Sequence, residues 1–183
     1  RFPRKIGQKP VRKGQLNNRT IERGVTVAVL FAEPLSWASF GARILDGETE
    51  LTELRITAFR GKGSFELEGE EFVIQPEGFF QSRAILKKGN SVIARVEKPS
   101  ILRRRFEISS AGHHLRLESK GFMGREYTLF LGSQEVGTVK REGFVGKKLR
   151  LDFPDEVPLV VQVLIAYVVL TQARREAAAA AGS

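Results

Sequence analysis

Cysteine is absent from this 183-residue chain, and methionine and tryptophan occur once each. Without cysteine, disulfides, thiolate metal sites and cysteine nucleophiles are excluded, which is compatible with a reducing compartment. The two histidines, His113 and His114, are neighbours in the sequence. Because neighbouring residues of a strand face opposite sides, they cannot easily chelate one ion together. We expect no metal site and no cofactor, with one histidine packed and the other in solvent.

Motifs of catalysis are missing as well. The GxSxG turn that presents the serine of a hydrolase does not occur. Residues 143–148 read GFVGKK, which lacks the four-residue gap and the Ser or Thr of a phosphate-binding loop. Glu66, Glu68, Glu70 and Glu71 lie close together, but their alternation with apolar residues indicates a solvated strand face rather than an acid–base pair. The sequence therefore predicts a protein that is not an enzyme.

The longest apolar run is short for a membrane span. Val157–Leu170 is interrupted only by Gln162 and, as a helix, it covers roughly 21 Å against roughly 30 Å of hydrocarbon core. A helix that is apolar on all sides must be surrounded by lipid or by protein. We predict a core helix over about residues 156–175, with Asp155 as its N-cap, enclosed by the rest of the domain. The alternative is a helix that spans a thinned bilayer with the help of the alanines that follow.

Basic residues are in excess. Thirty Lys and Arg against 21 Asp and Glu give a formal net charge of +9, which favours anionic lipid, nucleic acid or an acidic protein face as partners. The first 23 residues hold eight basic residues, one acidic residue and few apolar ones. This composition predicts an extended basic arm over residues 1–23, followed by one domain over residues 24–183. The partner-binding candidates in the arm are Arg1, Arg4, Lys5, Lys9, Arg12 and Lys13.

Short segments of alternating apolar and polar residues fill the middle of the chain, and Leu149–Phe153 is the clearest of them. Such alternation buries one face of a strand and leaves the other in water. Residues 78–96 and 121–139 repeat the same order of residues about 43 positions apart, which predicts two similar β-meanders facing each other. A closed sheet would enclose the apolar helix and remove exposed strand edges. We predict a mainly β domain: a closed antiparallel β-barrel around a central C-terminal helix.

A repeated antiparallel barrel threaded by an apolar C-terminal helix resembles the superfamily of Tubby C-terminal domains, LURP-one-related proteins and phospholipid scramblases. The likeness covers about residues 36–175 and is carried by 104–108 (RRFEI), 121–139, 149–153 and 158–170. The resemblance implies about twelve strands around the helix and no catalytic centre. Tubby domains bind phosphoinositide headgroups through basic residues, and scramblases act at membranes. The scramblases' acidic calcium-binding segment and cysteine-rich region have no counterpart here.

Basic clusters at strand ends are the remaining candidates for a binding site. If they converge, they form a patch in which Arg holds phosphate oxygens bidentately; if they are scattered, they contribute only to solubility. By alternation, Lys148 and Arg150 share the outward face of the last strand. The candidate ligands for an anionic headgroup are Arg103, Arg104, Arg105, Lys140, Arg141, Lys147, Lys148 and Arg150.

Two functions are compatible with these features. The first is a non-enzymatic module that binds anionic lipid headgroups or a membrane surface, located in the cytoplasm or peripherally at a membrane. The second is a scaffold or assembly subunit whose basic arm docks on nucleic acid or on an acidic protein. A targeting signal upstream of Arg1 would lie outside this sequence, and the oligomeric state is left open.

Overall fold

The computed structural model describes residues 19–22, 25–36, 40–58, 61–77, 82–100, 104–121, 124–142 and 148–182. These residues form thirteen strands and one helix. The elements are β1 (Arg19–Glu22), β2 (Val25–Pro34), β3 (Ala42–Asp46), β4 (Thr49–Ile56), β5 (Gly63–Leu67), β6 (Glu70–Glu77), β7 (Arg83–Lys88), β8 (Ser91–Glu97), β9 (Arg105–Ser110), β10 (His113–Lys120), β11 (Glu126–Leu131), β12 (Gln134–Glu142), β13 (Lys148–Pro154) and α1 (Leu159–Ala181).

Twelve of the strands form a closed ring. β3 to β12 pair in chain order, β12 pairs with β13, and β13 pairs with β2, all antiparallel. The pairing of β2 with β3 then closes the barrel. Alternation shows which face of a strand lines the interior, since Leu149, Leu151 and Phe153 of β13 are almost fully buried. The prediction of a closed antiparallel barrel around a C-terminal helix is confirmed.

The helix lies inside the ring. Every residue from Val161 to Val169 is buried, including Gln162, while Leu159 and Leu170 at the two ends are only partly buried. The barrel wall is therefore the apolar surrounding that this helix requires. In the described part of the chain, no helix combines the length and the apolarity needed to cross a bilayer.

The helix differs from its predicted bounds at both ends. It begins at Leu159, directly after Pro158, and no side chain caps its first turn, so the prediction that Asp155 is the N-cap is wrong. Pro158 fixes the entry instead, and its carbonyl accepts hydrogen bonds from the N–H groups of Val161 and Gln162. At the other end the helix continues to Ala181, because alanine has the highest helix propensity and needs no burial.

Three similar four-stranded meanders build the ring, one more than the sequence repeat predicts. β5–β8 and β9–β12 are the two predicted copies, and they are adjacent through the pairing of β8 with β9 rather than facing each other. The third consists of β13, β2, β3 and β4. Each meander has the same β-bulge, whose extra residue is Leu51, Ile93 or Val136, at intervals of 42 and 43 residues. All three of these side chains pack against the core.

The predicted basic arm falls largely outside the described residues. Arg1, Arg4, Lys5, Lys9, Arg12 and Lys13 are among those that are not described. Residues 19–22, which were predicted to be the end of the arm, form β1. This strand pairs with the first residues of β2 and is not one of the twelve strands of the ring. The last part of the predicted arm is therefore a strand of the sheet.

Candidate functional site

The two ends of the barrel are closed by different connections. At the end where α1 enters, five connections between ring strands have two residues each, for example Gly47–Glu48 and Gly89–Asn90. We call this the turn end. At the opposite end, where α1 leaves the barrel, six connections have five to seven residues each. We call this the exit end, and it has more chain available to place functional side chains.

Charge is distributed unequally between these ends. Among the described residues of the connections and the single residues that flank them, the turn end has six acidic residues and one basic residue: Asp46, Glu48, Glu68, Glu70, Asp155, Glu156 and Lys88. By the same rule the exit end has eight basic and four acidic residues: Lys62, Arg83, Lys98, Arg104, Arg105, Lys120, Arg125, Lys148, Glu77, Glu97, Glu126 and Glu142. The helix adds Arg174, Arg175 and Glu176 to the exit end.

Five charged side chains meet where the helix leaves the barrel: Lys98, Arg104, Arg141, Arg175 and Glu176. We call them the mouth cluster. Lys98 and Arg141 occupy equivalent positions in two meanders, and each donates its backbone N–H over 2.7 Å to a carbonyl of the neighbouring strand end. The carbonyl of Arg104 accepts the N–H of Ser119 at 2.9 Å. Strand pairing at the rim therefore fixes the backbone from which these cations extend.

The carboxylate of Glu176 is held by two of its neighbours. Arg104 Nε lies 2.8 Å from Glu176 Oε1 in an ion pair whose two side chains are less than a third exposed. Gln172, one helical turn earlier, donates from Nε2 to the same oxygen over 2.9 Å. Lys98 Nζ lies 3.4 Å from Gln172 Oε1 and 5.7 Å from the centre of the Phe106 ring. A chain of polar contacts thus joins two strand ends to the helix.

The pKa of Lys98 reflects burial and its charged neighbours. Burial lowers it, the positive charges of Arg175 and Arg104 lower it further, and Glu176 opposes them. Burial also lowers the pKa of Arg175. Opposite charge stabilises an ammonium ion and like charge destabilises it. At Lys98 the neighbouring cations therefore act against the Glu176 carboxylate.

Tyr127 of the barrel wall interacts electrostatically with the same cluster. Burial and the Glu176 carboxylate raise its pKa to about 12, against the opposing effect of Arg104 and Arg141. The side chain is 1% exposed. Its phenol therefore stays protonated at neutral pH, where it is available as a hydrogen-bond donor toward the mouth.

Gly124 packs closely against this cluster. A Cβ atom at this position would lie 3.3 Å from Arg104 Nη1, 3.3 Å from Glu176 Oε2 and 3.4 Å from the Tyr127 hydroxyl oxygen. Its φ of +57° also favours glycine. A side chain at this position would therefore crowd three polar atoms of the mouth.

A second arginine of the helix has a structural role. Arg174 Nη2 donates to the carbonyl of Ala58 over 2.7 Å, and its guanidinium lies 3.5 Å from the centre of the Phe40 ring. Tyr167, two turns earlier, donates to the carbonyl of Gly61 over 2.6 Å. These contacts hold the helix against the β2–β3 and β4–β5 connections of the exit end. They thereby fix the position of Arg175 and Glu176.

Cavities near the mouth are modest. One of about 30 Å³ lies between the helix and the wall, beside Ser82, Thr171 and Arg175. A groove of about 460 Å³ lies on the outer wall beside Pro99, Ser100, Arg105 and Glu107. Neither matches the deep apolar pocket that encloses a small-molecule substrate.

The predicted basic residues separate into two sets. Arg104 and Arg141 belong to the mouth cluster, whereas the other described candidates lie on the outer wall beside carboxylates. Arg105 Nε is 2.6 Å from Glu107 and Lys140 Nζ is 3.9 Å from Glu126. Arg103 and Lys147 lie outside the described residues.

On the last ring strand, the prediction that Lys148 and Arg150 share the outward face is confirmed. Lys148 Nζ is 2.9 Å from Glu33 and 4.6 Å from the centre of the Phe31 ring. Arg150 Nε is 3.0 Å from Asp152. Arg105, Lys140, Lys148 and Arg150 thus each have a carboxylate nearby on the outer wall. The mouth cluster is the candidate site because its cations gather where the helix leaves the barrel.

Sequence reasoning missed Lys98, Arg175 and Glu176. Two signals in the sequence point to them. Lys98 precedes Arg141 by the 43 residues of the repeat, so it occupies the same place at the rim. Glu176 lies four residues after Gln172, which puts the two on one face of the helix. Only the fold shows that this face meets Arg104.

Other chemistry on the surface is limited to short local contacts. His113 and His114 are both exposed, so the prediction that one of them packs is wrong; both directly follow a two-residue turn, where neither side of the strand is covered. His114 Nδ1 lies 3.3 Å from Ser109 Oγ across the strand pair. Glu66, Glu68, Glu70 and Glu71 are exposed, as predicted. Among the described residues, no group of three or more metal-binding side chains occurs.

Comparison of the chain with protein-family models, with curated proteins and with solved structures gave no significant match. Sequence pattern, fold and the geometry of the mouth are therefore the basis for a functional assignment.

Proposed function

We propose that this protein is a non-enzymatic binding module that docks on anionic lipid headgroups with the exit end of its barrel. The observation that supports this most is the mouth cluster. Arg104 pairs with Glu176 where the helix leaves the ring, and Lys98, Arg141 and Arg175 take part in electrostatic interactions with the same group of side chains. Guanidinium groups hold phosphate oxygens through two parallel hydrogen bonds, and ammonium groups bind them as point charges.

The unequal charge of the two ends supports a defined orientation. An anionic surface attracts the basic exit end and repels the acidic turn end, which aligns the barrel axis with the membrane normal. The uncharged segment Ala177–Ala181 continues the helix outward from the exit end and is exposed. It can approach a bilayer without burying charge. The proposed relationship to Tubby-like and scramblase-like proteins implies the same kind of target.

Vesicle co-sedimentation tests the proposal. The protein should bind vesicles that contain phosphatidylserine or a phosphatidylinositol phosphate and should not bind pure phosphatidylcholine vesicles. Arg175→Gln should weaken binding about fivefold, which corresponds to about 1 kcal/mol for a basic side chain near an anionic surface. Arg150→Gln removes the same charge from the outer wall and is the matched control. Equal binding to neutral and anionic vesicles would reject the proposal.

A basic arm that docks on nucleic acid or on an acidic protein stays a prediction, because the structure does not describe residues 1–18. Deleting these residues keeps β1 and the ring. If headgroup binding depends on the mouth, the affinity of the shortened protein for anionic vesicles should be within about twofold of that of the full chain. Loss of a single basic contact, worth about 1 kcal/mol, would change the affinity by more than this. A complete loss of binding would favour the arm instead.

A further inference from the structure

Strand β1 lies outside the ring, and its pairing register shows where it is attached. Ala28 of β2 pairs with Arg19 on one side and with Phe153 of β13 on the other. Strand β1 therefore uses the same edge of β2 as β3, and β3 ends on that edge at Asp46, two positions from Arg19. The β3–β4 turn that follows Asp46 belongs to the turn end. Residues 1–18 are thus tethered beside that turn.

Acidic residues of the turn end are concentrated around this attachment point. With two flanking residues on each side, the β3–β4 turn, the β5–β6 turn and the β13–α1 connection comprise residues 45–50, 66–71 and 153–160. These three segments hold nine acidic residues and no basic one. We call the nine carboxylates the acidic sector. All of them are exposed except that of Asp46, which is partly buried.

The remaining turns of the turn end have a different charge. By the same rule, the β7–β8, β9–β10 and β11–β12 turns comprise residues 87–92, 109–114 and 130–135, which hold two lysines and a single acidic residue, Glu135. Strands β13 and β2 to β6 are consecutive in the ring. The acidic sector is therefore continuous, and it lies on the side of the barrel to which residues 1–18 are attached.

Residues 1–18 have the complementary charge and sufficient length. They hold six basic residues and no acidic one. From β2 to β6 the sector spans four strand spacings, about 20 Å at roughly 4.8 Å each, whereas this segment reaches roughly 60 Å when fully extended. Tethering gives it an effective concentration on the order of millimolar at the nearby carboxylates. Ion pairs that are weak one by one therefore act together here.

We infer that residues 1–18 dock on the acidic sector of their own barrel. This inference does not depend on headgroup binding, because the mouth cluster lies at the opposite end of the ring. It gives the basic arm a partner within the chain, so that nucleic acid or an acidic protein has to displace nine carboxylates. Docking also keeps the cations of the arm away from the exit end.

Two fluorescent labels on one chain test the inference, since the chain has no cysteine. Gln8→Cys with Thr49→Cys places one label in the arm and one in the acidic sector. Gln8→Cys with Ser133→Cys, in the β11–β12 turn, is the matched control. Between about 0.1 M and about 1 M salt, the Debye length falls from about 10 Å to about 3 Å. Energy transfer between residues 8 and 49 should fall over this range, whereas transfer between residues 8 and 133 should not.

An undocked arm gives the opposite result. Repulsion among its own cations extends it at low salt, so screening would leave its transfer to residue 49 unchanged or increase it. Either outcome would overturn the inference, and so would an equal fall for both label pairs.

Substitutions that remove charge locate the contact. Glu48→Gln with Glu50→Gln removes two exposed carboxylates of the sector, and Glu97→Gln with Glu135→Gln removes two exposed carboxylates outside it. At about 0.1 M salt, the first pair should lower the ratio of docked to undocked arm by about twofold or more, as expected for two exposed ion pairs. The second pair should leave it unchanged. Equal effects of the two pairs, in proteins that are folded by circular dichroism, would contradict the assignment.

Other partners of the arm give distinct outcomes. If the arm docks on a second copy of the chain, an excess of unlabelled protein lowers the transfer to residue 49. If nucleic acid is the preferred partner, a short DNA duplex at about 0.1 M salt abolishes this transfer, because phosphates replace the carboxylates as counter-charges. Constant transfer after both additions supports docking within the chain, and loss of transfer after either one overturns it.

Discussion

The two ends of this barrel are built from the same strands but differ in almost every other respect. At the turn end, two-residue connections such as Gly89–Asn90 leave no chain to build a site, and the charges there are mostly acidic. At the exit end, connections of five to seven residues join the strands, and the cations of the mouth cluster lie where the helix leaves the ring. The same alternation of apolar and polar residues therefore specifies the wall at both ends. The ends differ in the length of their connections, and the candidate site lies at the end with the longer connections.

The helix itself links these two ends and shows the same contrast along its length. Its first half is enclosed, and Leu164 has no exposed surface. Its last turns leave the barrel, and Ala177–Ala181 are exposed. The stability of the fold should therefore depend on the first half, whereas the second half should tolerate change.

The largest expected effect tests this contrast. Leu164→Ala should lower the free energy of unfolding by about 3–5 kcal/mol, because it leaves a cavity inside the ring. Ala179→Gly, on the exposed part, should cost no more than about 1 kcal/mol, the helix-propensity difference. Urea unfolding followed by circular dichroism measures both. Similar losses for the two variants would mean that the helix is not enclosed as described.

Alkaline pH should act on the exit half of the barrel. The chain has two tyrosines; burial raises the pKa of Tyr167 to about 12, and burial with the Glu176 charge does the same for Tyr127. Because each folded pKa is above the ordinary value of 10.0, the folded protein binds more protons between these values. This contribution to stability is complete below about pH 10 and is lost as the pH rises through about 12.

Near-ultraviolet absorbance of tyrosinate measures this ionisation, and no tyrosine from the other half contributes to the signal because both tyrosines belong to this half. Tyr127→Phe and Tyr167→Phe show which ionisation belongs to which residue. Ionisation of both phenols near their ordinary pKa in a protein that is still folded by far-ultraviolet circular dichroism would show that they are not buried as described.

Gly41 of the exit end and Gly132 of the turn end are required for different reasons, and a pair of substitutions separates these reasons. At Gly41 of the exit end, a Cβ atom would lie 2.5 Å from the carbonyl oxygen of Leu54, so Gly41→Ala should cost about 1–3 kcal/mol by overpacking. Gly132 of the turn end has open space but a φ of +62°, so Gly132→Ala should cost about 1–2 kcal/mol through backbone strain.

Asparagine distinguishes the two causes, because it tolerates the left-handed conformation but is larger than alanine. Gly132→Asn should recover most of the stability lost in Gly132→Ala, while Gly41→Asn should be less stable than Gly41→Ala. Thermal unfolding of the four variants gives the order, and recovery at Gly41 rather than at Gly132 would reverse this explanation.

The smallest effect is expected on the outer wall. Glu126 lies 3.5 Å from Lys120 and 3.9 Å from Lys140, and all three side chains are at least a third exposed. Glu126→Gln should change the free energy of unfolding by less than about 1 kcal/mol, because exposed ion pairs are screened by solvent. The change should shrink further in high salt. A large, salt-independent loss would mean that the outer wall is more than a set of local pairs.

Much of the fold could be predicted from the sequence. Alternation in segments such as Leu149–Phe153 fixed the strands, and the apolar run from Val157 to Leu170 required a closed wall around it. The third meander was not predicted, because its first strand, β13, comes from the far end of the chain and cannot be seen as a repeat. The start of the helix at Leu159 instead of near Asp155 depended on Pro158, which ended the preceding turn.

The site was predicted only in part. Clusters of basic residues in the sequence drew attention to Arg104 and Arg141, which the fold places in the mouth cluster. They gave equal weight to Arg105 and Lys148, which the fold places on the outer wall. Adjacent residues of a strand face opposite sides, so a run of arginines always divides between lumen and solvent. Which half meets the helix depends on the barrel register, and that is a property of the whole ring.

The central claim is that the exit end, and not the turn end, meets an anionic membrane, and site-specific fluorescence tests it most directly. Because the chain has no cysteine, Ala179→Cys at the exit end and Asn90→Cys at the turn end each carry one environment-sensitive label. With vesicles containing a phosphatidylinositol phosphate, the label at residue 179 should shift to the blue and the label at residue 90 should not change. A shift at residue 90 alone, or equal shifts at both positions, would contradict the account.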